Sequence, residues 1–205
     1  MVIDDIQGIK NVLQLSKNSS VKRVFFSSSS SSSSSSEVYR EPVELPQNEE
    51  TTPLSSRVPY AVVKNVGESF FISYFKTYGL PFTIFRFFNN YGLNQSEDFV
   101  IAKFLKAALK GDDITIYGDG SQTRTLCYVD DNINTRVKIL KDNLMMNDAI
   151  NIGGAKEYKI LDVAKLIIKK LNCKSKIIHL PGLKNDDMTR RMPDNSKMLS
   201  IIEKI

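Results

Sequence analysis

Val58-Pro59-Tyr60-Ala61-Val62-Val63-Lys64 puts a proline at the start of an apolar run and sets a phenol and an amine four residues apart. On a helix, positions i and i+4 share one face, so Tyr60 and Lys64 can act together. A tyrosine with its ordinary pKa of about 10 is a poor base at neutral pH, but a neighbouring ammonium favours the phenolate. The pair is therefore a candidate acid-base group. The same spacing occurs on ordinary amphipathic helices with an exposed polar face, so its meaning depends on the flanking sequence.

Working outward, the pattern predicts a helix over residues 59–78, capped at its end by Gly79. Residues 81–87 read as a buried strand, and Asn89-Asn90-Tyr91-Gly92 as the turn at its end. Upstream, residues 6–16 have helical spacing and residues 21–26 read as a strand. Ten consecutive serines follow at 27–36. Serine hydroxyls compete for local backbone groups, so this run is expected to be irregular and mobile. The proline-containing stretch 42–59 reads as an extended loop. Strand, helix, strand in that order predicts a parallel sheet of an α/β fold, and such sheets bind ligands at the carboxyl ends of their strands.

Further on, helices are expected at 99–110, 130–141 and 160–171, and strands at 114–117, 149–152 and 177–180. Tight turns fall at Gly118-Asp119-Gly120 and Gly153-Gly154, and a charged loop ends in Arg190-Arg191-Met192-Pro193-Asp194.

The chain has 205 residues, enough for one domain or a domain with a smaller lobe. Its apolar runs fall short of the roughly 18 residues that span a bilayer, and its first residues are acidic, so a cytoplasmic location away from membranes is expected. Cys127, Cys173 and His179 show no metal-ligand spacing; both cysteines read as packed thiols, and no metal is expected. From residue 156 onward, twelve Lys or Arg stand against six Asp or Glu, which leaves the first 155 residues at minus one. An anionic ligand suits that basic part. Its charges alternate with Leu and Ile at helical spacing over 160–171 and lack interleaved aromatics, which argues against nucleic acid.

Several segments taken together resemble the extended short-chain dehydrogenase/reductase family, the NAD-dependent epimerases, dehydratases and decarboxylases of nucleotide sugars. They are Ser-Ser-Glu-Val-Tyr (35–39), Pro-Tyr-Ala-Val-Val-Lys (59–64), Arg-Phe-Phe-Asn-Asn-Tyr-Gly (86–92), Ile-Tyr-Gly-Asp-Gly-Ser-Gln-Thr-Arg (116–124), Tyr-Val-Asp-Asp (128–131), Asn-Ile-Gly-Gly (151–154) and Arg-Met-Pro-Asp (191–194). The resemblance implies the C-terminal half of a Rossmann-type parallel sheet with a smaller α/β substrate lobe. The cofactor part would comprise residues 1–92 and 128–154, and the lobe 93–127 and 155–205.

It also implies roles. Tyr60 would take the proton from a sugar hydroxyl as hydride passes to NAD, and Lys64 would hold the nicotinamide ribose and lower the Tyr60 pKa. Ser35, with Ser36 and Glu37 beside it, would orient the reacting hydroxyl. Counting forward from Phe26 would give Ser29 that role, but Glu37-Val38-Tyr39 keeps the family spacing to Ser35. Asn89 resembles the amide that contacts the substrate diphosphate region, and Arg124 and Arg191 the arginines that clamp it. The implied partner is a nucleoside-diphosphate sugar. A homodimer through the helices at 6–16 and 59–78 would follow the family habit.

The sequence departs from the family in three places. It has no Gly-x-x-Gly-x-x-Gly turn, and its start corresponds to the family's fourth cofactor-domain helix, so an N-terminal truncation that weakens NAD binding is expected. The serine run is longer than the family's usual few small residues. Arg40 stands where the family generally has glycine. Oxidation at the sugar C4 followed by 4-epimerisation is the expected activity; Ser36, where dehydratases usually have an acid, argues against elimination. The alternative is an inactive or partner-dependent fragment that keeps only the nucleotide-sugar contacts.

Overall fold

The computed structural model describes residues 2–29, 39, 45–54, 59–182 and 192–202. In chain order the elements are α1 (Val2–Asn18), β1 (Val24–Ser29), α2 (Pro59–Tyr78), β2 (Phe82–Phe87), β3 (Asn90–Tyr91), α3 (Val100–Lys110), β4 (Ile114–Tyr117), β5 (Thr123–Thr125) and β6 (Cys127–Tyr128). They continue with α4 (Val129–Lys141), β7 (Asp148–Ile152), β8 (Glu157–Lys159), α5 (Ile160–Leu171), β9 (Ile177–Leu180) and α6 (Ser196–Ile202).

β1, β2 and β7 form a parallel sheet in that order, the α/β arrangement expected from the strand-helix-strand pattern. The central strand β2 is apolar toward both faces, as a strand covered on both sides must be. Phe82 and Ile84 pack with Leu13, Phe26, Phe71 and Leu80 beneath α1 and α2. Phe85 points the other way, into a cluster with Cys127, Ile139, Ile150, Ile152, Met198 and Ile201 from β6, α4, β7 and α6. Two layers of helix thus enclose the sheet. A third cluster, including Phe104, Ile114, Ile116, Val163 and Ile167, joins α3 and α5 to β4, and β4 pairs in parallel with β9. The short strands β5 and β8 pair antiparallel, and β3 pairs with β6.

One expectation is corrected. The strand of residues 21–26 begins at Val24 and continues into the serine run as far as Ser29, so Ser27, Ser28 and Ser29 are not irregular. Strand formation depends more on a waiting partner than on intrinsic preference. β2 supplies that partner, with Ser27, Ser28 and Ser29 opposite Phe85, Arg86 and Phe87. Small side chains suit the place, for Ser28 and Ser29 are both buried. The expectations for residues 30–36 and for Arg40 lie outside the described residues.

The pattern of apolar residues did not mark β5, β6, β8 or α6, and Asn90–Tyr91, read as part of a turn, forms β3 instead because β6 lies beside it. Helix α6 falls in the stretch assigned to the substrate lobe, yet it packs on the sheet through Met198 and Ile201. The chain before it is tied to the loop at 45–54: the Gln47 amide donates to the Met192 carbonyl and the Asp194 amide to the Gln47 carbonyl, at 2.7 and 2.8 Å.

Candidate active site

Helix α2 starts with Pro59, whose fixed φ and missing N–H suit a first helical position, and ends where Gly79 adopts φ +69° and donates its amide to the Phe75 carbonyl. Its inner face is narrow where it crosses β1. A Cβ on Gly67 would stand 2.3 Å from the Phe26 ring, so glycine is what lets helix and strand approach. The Phe26 ring lies 4.8 Å from that of Phe71, which fixes the helix against the strand.

This packing brings the first turns of α2 to the carboxyl end of β1. Lys64 Nζ donates a 2.9 Å hydrogen bond to the Ser27 carbonyl. The same ammonium lies 5.4 Å from the ring centroid of Tyr60 and 5.4 Å from that of Phe26. Tyr60 and Lys64 thus share a face, as their spacing predicts, and Tyr60 is 45% exposed at its rim.

Asn89 follows the end of β2. Its carbonyl accepts the Cys127 amide at 2.9 Å, and its Oδ1 is buried with no hydrogen-bond partner among the described residues. A buried acceptor left open is costly unless something else fills it. Arg124 lies in β5, three residues before Cys127; it is buried, and its Nη1 donates to the Thr123 carbonyl at 2.7 Å. The backbone pairing of Asn89 with Cys127 therefore brings the loop after β2 alongside the strand segment that carries Arg124. Ser35, Ser36, Glu37 and Arg191 lie outside the described residues.

At the carboxyl end of β7 the turn Gly153-Gly154 comes hard against neighbouring chain. A Cβ on Gly154 would lie 2.2 Å from the Leu126 carbonyl oxygen, and one on Gly153 would lie 2.8 Å from Phe88 Cβ. Only glycine permits both approaches, and they hold the ends of β2, β6 and β7 together.

Beneath this rim lies a buried polar network that the sequence pattern did not single out. Arg86 Nη2 meets Glu68 Oε2 at 2.7 Å, and Arg86 Nε lies 3.2 Å from both Glu68 oxygens. Arg86 Nη1 donates to the Tyr39 hydroxyl at 2.7 Å, which in turn donates to Asn151 Oδ1 at 2.7 Å. Burial pushes the Tyr39 phenol well above its ordinary pKa, against the opposing pull of Arg86. Burial would lower the Arg86 pKa, but its hydrogen bonds to Glu68 and the charges around it raise it instead. The signal was present in the sequence: an arginine inside the apolar strand Phe-Arg-Phe, and a glutamate on the buried face of α2.

The family model described as NAD dependent epimerase/dehydratase matches residues 1–153. The chain belongs to that family. Among relatives, UDP-glucuronic acid decarboxylase 1 of Danio rerio is 34% identical over 93% of this chain and 44% of its own length. Among solved structures, the UDP-N-acetylglucosamine 4-epimerase of Methanobrevibacter ruminantium superposes with a TM-score of 0.86 at 29% identity, covering 96% of this chain and 62% of that one. The dTDP-glucose 4,6-dehydratase of Bacillus anthracis, in complex with NAD, gives 0.85 at 26% identity, covering 98% and 62%. The chain thus spans between two fifths and two thirds of these epimerase/dehydratase relatives. Among its described residues, no helix is long and apolar enough to cross a membrane.

Proposed function

We propose that this chain carries the acid-base and sugar-contact part of an enzyme that modifies nucleotide sugars through transient oxidation at the sugar C4, with 4-epimerisation as the favoured outcome. The observation that carries this reading is the Tyr60 and Lys64 pair at the carboxyl end of β1, with Lys64 tied to the Ser27 carbonyl.

NAD, when bound, supplies the nicotinamide carbon that accepts and returns hydride. The residues present suit its nicotinamide end: Lys64 uses one of its three N–H donors on Ser27 and has others to offer a ribose. For its diphosphate end, the 205 residues hold no Gly-x-x-Gly-x-x-Gly turn. The exposed Tyr60 side chain, in its phenolate form, takes the proton from the sugar C4 hydroxyl and later gives one back. Ser35, with Ser36 and Glu37, orients that hydroxyl. Asn89, just past the end of β2, contacts the substrate diphosphate region through its Nδ2 donors, and Arg124 and Arg191 clamp the diphosphate.

Decarboxylation and elimination begin with the same oxidation, and the relatives divide among these outcomes. Ser36 favours epimerisation over elimination. A second reading is a chain that is inactive alone or acts with a partner and keeps the nucleotide-sugar contacts. Homodimerisation through α1 and α2 accompanies either reading, supported by the exposed Ile3, Val12 and Leu15 on α1 and Ile72 and Tyr78 on α2. Both cysteines are free thiols, in keeping with a cytoplasmic setting.

Titration calorimetry of the chain with NAD and with UDP-glucose tests these readings. Binding of both supports the enzyme, binding of UDP-glucose alone supports the partner-dependent chain, and binding of neither sinks both. In an active form, Tyr60→Phe should abolish turnover while UDP-glucose binding remains.

A further inference from the structure

We infer that Glu68, Arg86, Tyr39 and Asn151 act together as positioning residues that hold the Tyr60 and Lys64 turn of α2 in place against the loop bearing Asn89. The purpose of this device rests on the proposed function; its geometry does not.

Each member belongs to a different site-bearing segment. Glu68 lies one helical turn beyond Lys64, on the buried side of α2. Arg86 is the penultimate residue of β2, three before Asn89, and Asn151 is the penultimate residue of β7. Arg86 stands directly opposite Asn151 in the sheet and Ser28 on its other side. Tyr39 follows two residues after Glu37. A row of polar side chains therefore crosses the sheet one residue short of its carboxyl rim, and Glu68 reaches down to it from α2.

Stability alone is a poor reason for this arrangement. The Arg86 and Glu68 side chains are only 7% and 1% exposed. Taking two charges out of water costs several kcal/mol, and a well-packed apolar pair serves stability as well or better. A bidentate guanidinium fork does something an apolar contact cannot, fixing both separation and plane. The hydrogen bonds also run in one direction. Arg86 donates to Tyr39, Tyr39 to Asn151 Oδ1, and Asn151 Nδ2 to the Gln47 carbonyl at 2.9 Å. The Asn151 amide donates to Glu49 Oε1 at 2.7 Å, and Arg86 Nη1 also reaches the Glu49 carbonyl at 3.0 Å. Sliding α2 along β2 would break the Glu68 fork on Arg86, the link by which α2 joins this network, and would leave both charges buried without each other.

Hydrogen exchange of the full chain tests this. In Tyr39→Phe, which removes one hydroxyl, the helical amides of residues 63–67 and the Phe88 amide should exchange about tenfold faster, with α5 unchanged. Arg86→Lys keeps the charge but loses the fork and should do the same. Faster exchange spread equally into α5, or no change near the site, would overturn the inference. If the unaltered chain binds UDP-glucose, Tyr39→Phe should weaken that binding about tenfold; unchanged affinity overturns positioning. If the unaltered chain binds no UDP-glucose while local exchange still responds, the functional reading fails and the positioning stands.

Discussion

The ammonium of Lys64 lies 2.9 Å from the carbonyl oxygen of Ser27, so the first residue of the serine run is tied to the helix that carries the candidate base. The contact is solvent-exposed, and a charged hydrogen bond of this kind contributes at most about 1 kcal/mol. Lys64→Met should therefore shift urea unfolding by no more than about 1 kcal/mol while turnover of an active form is lost. A larger loss of stability would mean that Lys64 serves mainly as a structural anchor.

The Glu68 and Arg86 pair should behave differently. Glu68→Ala leaves a buried guanidinium without its carboxylate and should cost about 3–5 kcal/mol in urea unfolding. Replacing both partners, with Glu68→Leu and Arg86→Met, should return stability to within about 1 kcal/mol of the parent. A double-mutant cycle measures the coupling directly.

Two glycines make a paired test. Gly154→Ala would push a methyl to 2.2 Å from the Leu126 carbonyl oxygen and 2.8 Å from its carbon, backbone atoms that cannot move aside, and should cost about 2–4 kcal/mol. Gly79→Ala has open space around its Cβ, and only its φ of +69° resists, so about 1 kcal/mol is expected. Thermal melts of the two variants should rank in that order.

Two carboxyl groups near the network should pull acid stability in opposite directions. Hydrogen bonds from the Ser196 hydroxyl and amide, and from Asn48, hold Asp194 below its usual range. Its contribution is present above the unfolded value of about 4 and lost as pH falls through the lower folded value. Burial pushes Glu49 up, against its hydrogen bond from the Asn151 amide. Its ionised form burdens the folded state, and that burden sets in as pH rises from the unfolded value of about 4.3 through the raised one. Urea midpoints measured from pH 7 to pH 3 should therefore fall less steeply in Asp194→Asn and more steeply in Glu49→Gln than in the parent.

Much of this architecture was legible where local chemistry and tertiary demand agree. α2 runs from Pro59 to the residue before Gly79, and α5 spans the amphipathic stretch 160–171, because each carries both a periodic apolar face and an end signal. β5 and β8 were not legible: Thr123–Thr125 and Glu157–Lys159 become strands only because each meets the other across the fold. The serines were misread for the same reason. In the site, Tyr60 and Lys64 could be found by spacing, since helical neighbours are set by local geometry. Glu68, Tyr39 and Asn151 come together around Arg86 from separate elements, and one-dimensional spacing holds no record of such a meeting.

Ten identical residues carry no marks by which one can be told from the next. Ser27, Ser28 and Ser29 take their places in β1 only by counting from Phe26, which is wedged against Phe71 and Gly67. A serine added to the run, or lost from it, would leave the same letters at those three positions and the same carbonyl beneath Lys64. All of the change in length would fall to the far side of Ser29. A change in the length of the run would thus leave the pairing of β1 with β2 as it is.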